Sequence, residues 1–195
     1  MRRRTLLGFA LMLAGLGPRR GSRAWGPFGR RAWAQVTNAP PRFIALTKPV
    51  RIPLDSVAAP WHPAPFVGEA VLPPGSPTPG QRVLIKGVLY RKDTSNDASG
   101  LSALSVICPH EQCAIALVTD PERLAKMSGN TSGRPLFECA CHFSKFDASE
   151  DGAWISGVAY RGMFRFRIAG VADGSVEINE IEEEALSVVY EEDCE

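Results

Sequence analysis

Cys108-Pro109-His110-Glu111-Gln112-Cys113 and Cys139-Ala140-Cys141-His142-Phe143-Ser144 are the stretches from which the rest of this chain is read. They hold four of the five cysteines and two of the three histidines in twelve of 195 positions. Each brings two thiols and one imidazole, so the pair offers matched sets of metal ligands. Several arrangements use such residues. Two thiolates and two imidazoles complete a tetrahedral zinc site, which would be purely structural. Four cysteines in an exported protein also form two plain disulfides. Zinc leaves two matched cysteines unused, and plain disulfides leave both histidines idle.

A third arrangement uses every group: two thiolates on one iron and two imidazoles on the other iron of a [2Fe-2S] centre. The two remaining cysteines are then free to join the loops by a disulfide, which needs close approach and an oxidising compartment. The two boxes, C-x-H-x-x-C and C-x-C-H-x-S, resemble those of the Rieske family. That resemblance implies Cys108, His110, Cys139 and His142 as cluster ligands and Cys113 with Cys141 as the disulfide. It also implies that the Ser144 hydroxyl donates to a bridging sulfide, and that the chain holds one [2Fe-2S] cluster.

The flanking pattern predicts an all-β protein, an antiparallel sandwich with a loop-rich cluster-binding subdomain over about 106–162. Arg82 to Tyr90 and Leu101 to Ile107 read as a hairpin that delivers the first box on a loop at a strand end. Leu136 to Glu138 is a short strand into the second box. Phe164 to Ile168 alternates apolar and basic residues and pairs with Ser175 to Ile178 across Asp173-Gly174. Between His110 and Cys139 lie 28 residues, more than the Rieske family usually has. Within them Asp120-Pro121-Glu122, running to Gly129, carries the start and stop signals of one short inserted helix.

The chain divides by composition into a signal segment at 1–34, a proline-rich extension at 35–80, the cluster domain at 81–181 and an acidic tail at 182–195. Arg51 to Val57 is the candidate strand of the extension. His62, between Trp61 and Pro63, reads as a packed or surface residue rather than a ligand. Cys194 is left over once the boxes are assigned and reads as an unpaired thiol.

A net charge of +1 hides an asymmetry. The first 34 residues carry eight arginines and no acid, leaving 14 basic against 21 acidic side chains in the remainder. Nine acids fall between Glu177 and Glu195, so a nucleic-acid partner is excluded and the C-terminal run reads as a solvated tail. Arg2-Arg3-Arg4-Thr5-Leu6-Leu7 resembles a twin-arginine export signal, with Ala32-Trp33-Ala34 as the cleavage site. The apolar run from Leu6 to Gly17 would span about 18 Å as helix against a bilayer core of ~30 Å. The expected location is periplasmic, with membrane association only through this segment.

No catalytic residues are expected, since one spare histidine builds no iron facial triad and no nucleotide fingerprint appears. The reading is an electron carrier within a larger oxidoreductase. Neutral imidazoles favour the reduced cluster, and Rieske centres span roughly −150 to +300 mV. High-potential members carry a tyrosine two residues after the box serine; here Phe146 stands there, which implies a near-zero or moderately positive potential. Cys139 to Asp147, Val83-Leu84-Ile85-Lys86 and Ile107-Cys108-Pro109-His110 resemble the small subunit of arsenite oxidase. This implies a molybdenum-containing large subunit as donor and a cytochrome c-like acceptor. The alternative is the iron-sulfur subunit of a quinol-oxidising cytochrome bc complex, with cytochrome b as partner. That family has Leu-Gly after the first box histidine, proline in the second box and a proline in its third loop. This chain has Glu111-Gln112, Ala140 and Gly157-Val158-Ala159-Tyr160 at those places.

Overall fold

The computed structural model describes residues 40–94, 98–127 and 133–189. Among these described residues ten strands form three antiparallel sheets. The first contains β1 (Phe43–Pro53), β9 (Phe166–Ala172) and β10 (Ser175–Glu182) in the order β1-β10-β9. The second contains β2 (Ala64–Val71), β3 (Arg82–Arg91) and β4 (Leu101–Ser105) in sequence order. The third contains β5 (Ile115–Val118), β6 (Leu136–Cys139), β7 (Lys145–Asp147) and β8 (Ala153–Ser156).

Alternation along the strands builds the sandwich. Ala64, Phe66, Gly68 and Ala70 of β2 point inward while Pro65, Val67 and Val71 face out, the period a half-buried strand requires. Phe66 and Phe166 meet edge to face across the two sheets, with centroids 4.8 Å apart. Gly87 makes room for both rings: a Cβ there would sit 2.5 Å from Phe66 and 2.8 Å from Phe166. Around this pair Ile52, Ile85, Leu89, Val176, Ile178 and Ile181 close the core.

β3 changes character along its length, because its second half is covered on both faces. Val83, Ile85 and Leu89 join the sandwich core, whereas Val88 and Tyr90 join a second core with Phe137, Phe146, Ala148 and Met163. Leu104 on β4 also lies in this second core. The β3–β4 ladder is thus a wall shared between the sandwich and the third sheet. Tyr90 anchors the junction, its hydroxyl donating to the Ala148 carbonyl at 2.7 Å and its ring edge-on to Phe137 at 5.4 Å.

Several expectations are corrected. The proline-rich extension, expected to hold a strand at Arg51 to Val57, instead has β1 ending at Pro53 with a 3-10 turn over Leu54–Val57; β1 pairs with β10, and β2 pairs with β3 from Ala64↔Leu89 to Val71↔Arg82. A boundary at residue 80 falls inside that hairpin. Prolines are tolerated here because β1 and β2 are edge strands, where alternate N–H groups face away from the ladder. The acidic run from residue 182 is not a solvated tail as far as residue 189. Glu182 ends β10 with its side chain fully buried, and a second helix, α2 (Ala185–Val189), buries Ala185, Leu186 and Val188. The strand expected from Phe164 begins at Phe166, and the one expected to reach Ile107 ends at Ser105.

The inserted helix is present as α1 (Pro121–Lys126), capped by the Asp120 side chain, which accepts from the Arg123 N–H. Leu124 of α1 packs with Val118 and Leu136 in a small third core. Gly129, Cys194 and the whole signal segment lie outside the described residues.

Candidate metal centre

The two boxes occupy loops at the same end of the third sheet. The first leaves β4 and returns through an Ile107–Ala114 bridge into β5, with the Cys108 N–H closing it on the Cys113 carbonyl at 2.9 Å. The second turns between β6 and β7, where the Cys139 N–H reaches the Ser144 carbonyl at 2.9 Å and the Phe143 N–H reaches the Cys139 carbonyl at 3.0 Å. Phe143 takes φ 55° at this turn, a left-handed conformation uncommon for a bulky residue. Its ring is 65% exposed.

Cys113 and Cys141 are joined by a disulfide, with Cα atoms 6.3 Å apart, that ties one loop to the other. Cys108 and Cys139 remain as free thiols, each 1% exposed. They hydrogen-bond one another, and the backbone N–H groups of His110 and Glu111 donate to Cys108. Burial pushes the Cys108 thiol up to about 11, outweighing those donors. A thiol in such a place becomes a thiolate when a cation binds it.

The imidazoles sit farther out. His142 is exposed and His110 intermediate, and their rings meet edge to face with centroids 4.9 Å apart. His110 Nδ1 is buried without a hydrogen-bond partner; the nearest carboxylate oxygen, Glu111 Oε1, is 3.9 Å away. A buried ring nitrogen left unpaired is costly, and a metal ion removes that cost. Candidate ligand atoms fall into two groups, each with all members within 4.8 Å: His110, Glu111 and His142 in one, and Cys139 with the disulfide sulfurs in the other. One tetrahedral zinc ion would need all four donors converging at about 2.0–2.3 Å from it. An inner thiol pair and an outer imidazole pair fit two metals instead.

A third loop completes the enclosure. The Ser144 side chain is fully buried, and its hydroxyl oxygen accepts from the Ala159 N–H at 3.1 Å. The loop approaches so closely that a Cβ at Gly157 would lie 2.4 Å from Ser144 Cα, and Gly157 has φ +99°. With its oxygen accepting from that amide, the Ser144 hydroxyl keeps its own hydrogen to donate.

A family model described as Rieske [2Fe-2S] domain matches residues 61–164, just over half of the chain. The chain belongs to this family. No curated protein matches it. As a Rieske protein it binds one [2Fe-2S] cluster and transfers electrons, and its donor set fits that group: two buried thiols, two outer imidazoles and an orphaned ring nitrogen.

The structure sets Cys108 beside Cys139, His110 beside His142 and Ser144 against the Ala159 amide, with Cys113 bonded to Cys141. His62 stands apart from both ligand groups and is exposed. Phe146, fully buried in the second core, brings no hydroxyl to the site. Sequence reasoning placed Gly157 to Tyr160 in a third loop but missed that the Ala159 amide holds Ser144. The available signal was the positive-φ residue type at Gly157, which marks a close backbone approach.

Proposed function

We propose that Cys108 and Cys139 hold one iron and His110 and His142 the other, in the small subunit of a periplasmic oxidoreductase of the arsenite oxidase type. The observation that carries the ligand assignment is the burial gradient, with thiols 1% exposed beneath imidazoles that reach the surface. When bound, the cluster supplies a one-electron carrier. The protein's own residues do the rest: the thiol pair lies away from water, the disulfide holds the loops in register, Ser144 donates a hydrogen bond that favours reduction, and the imidazole edge is where a partner reaches the site. Electrons would enter from a molybdenum-containing large subunit and leave to a cytochrome c-like acceptor. Export by the twin-arginine route is supported by Arg2-Arg3-Arg4 and by the disulfide, which belongs to an oxidising compartment.

A second reading has its own observation. The exposed His142 ring is open to a small donor, which suits a quinol handing over a proton and an electron in a cytochrome bc complex.

Electron paramagnetic resonance of the dithionite-reduced protein tests the site. A rhombic signal of low average g is expected, abolished in His142→Ala; an unchanged spectrum in that variant overturns the ligand assignment, and zinc with no signal overturns the cluster. Reduction only in the presence of a molybdenum-containing partner supports the first reading, and direct reduction by a quinol analogue supports the second.

A further inference from the structure

The loop that cradles Ser144 is tied to the sandwich by charge. Arg161 follows it directly, with its guanidinium 4.6 Å above the Phe164 ring centroid. One arm of the fork meets Glu182 and the other Glu184, while Nε reaches the Gly162 carbonyl at 3.2 Å. Glu182 is fully buried and also accepts from Arg165 Nε at 2.6 Å. Two cations therefore balance two anions, as a buried carboxylate requires. Tyr160 extends its hydroxyl toward Glu184 at 3.3 Å, so two successive side chains of the loop end on one acid. Immediately before them is Ala159, buried, whose N–H holds Ser144 Oγ.

We propose that Arg161 is a positioning residue for the Ser144 hydroxyl and, through it, for the reduction potential of the cluster. The inference rests on Ser144 donating to the cluster. A hydroxyl that accepts from an N–H is polarised into a better donor, so loosening the Ala159 amide weakens its donation and favours the oxidised state. A lysine keeps the charge of Arg161 but spans neither both carboxylates nor the ring face. Loss of the fork does not release the whole segment, because the Met163 N–H still bonds the Gly152 carbonyl at 2.9 Å and Arg165 still pairs with Glu182.

The test uses the full chain loaded with cluster. Arg161→Lys is expected to keep the rhombic signal and one cooperative melting transition, at a lower temperature, while its reduction midpoint falls. The expected change is about threefold to tenfold in the reduction equilibrium, the worth of one hydrogen bond. Hydrogen exchange across 157–163 should quicken, and Arg161→Lys placed on Ser144→Ala should add no further fall. Glu184→Gln separates position from charge by sign: removing an anion alone raises the midpoint, and loosening the loop lowers it. A wild-type midpoint in Arg161→Lys, additivity with Ser144→Ala, or a raised midpoint in Glu184→Gln overturns the inference. Absence of the rhombic signal from the wild-type protein instead overturns the reading of the site, and this inference with it.

Discussion

The Ala159 amide nitrogen lies 3.1 Å from the hydroxyl oxygen of Ser144, and both residues are buried. One bond thus links the second and third loops of the centre. Ser144→Ala removes an acceptor and a donor together. The reduction midpoint should fall, and the stranded Ala159 N–H should cost about 1–3 kcal/mol of stability, read by redox titration and denaturant unfolding of the same sample.

Gly157 leaves no room for a side chain. Gly157→Ala brings both a left-handed backbone at φ +99° and a Cβ 2.4 Å from Ser144 Cα. The backbone strain alone is worth about 1–3 kcal/mol, and the clash with a rigid main chain adds to it. The variant should retain little cluster, measured as iron per chain, with the sandwich still folded by far-ultraviolet dichroism.

The disulfide closes a span of 28 residues. Replacing Cys113 and Cys141 together by serine should lower stability by about 3 kcal/mol and speed cluster loss in a chelator challenge. The wild-type protein should approach the variant's behaviour once reductant opens the bond, whereas the variant should not respond to reductant.

Tyr90 gives the alkaline limit. Burial raises its phenol well above the usual tyrosine range, with the nearby Asp151 and Asp147 charges adding to the rise and a bond to Ser102 opposing it. A group whose folded pKa lies above its unfolded value of about 10 keeps its proton longer in the native state. Its contribution is fully present below pH ~10 and is lost as pH rises toward the folded value. Tyr90→Phe should flatten that alkaline fall while lowering stability near neutrality by about 1 kcal/mol, from the lost bond to the Ala148 carbonyl.

Both boxes were legible because a ligand set is a matter of residue type and spacing. So was α1, since Asp120 and Pro121 are local signals of a helix start. The edge strands β1 and β2 were obscured by prolines, whose harmlessness depends on which side of a strand lacks a neighbour. Glu182 shows the other limit. In an acidic run it reads as solvated, and only the pairing of β10 with β9 brings its side chain against Arg165 and, beyond the strand, Arg161. The partners lie 17 and 21 residues upstream, outside any local pattern. Gly157 and Ala159 were legible as part of a third loop, but their closure on Ser144 escaped for the same reason, since that serine belongs to another loop.

Val118 and Leu136 face each other across the β5–β6 ladder, so the segment between them leaves and rejoins the fold at one place. The disulfide flanks the opposite end of that ladder, and Arg123 of α1 is paired with Glu138 of β6. Closing an excursion of this kind depends weakly on its length, each doubling costing only about 0.6 kcal/mol. Both ends of the excursion are thus held by the ladder that also carries Cys139, and α1 is fastened to it by Leu124 and Arg123.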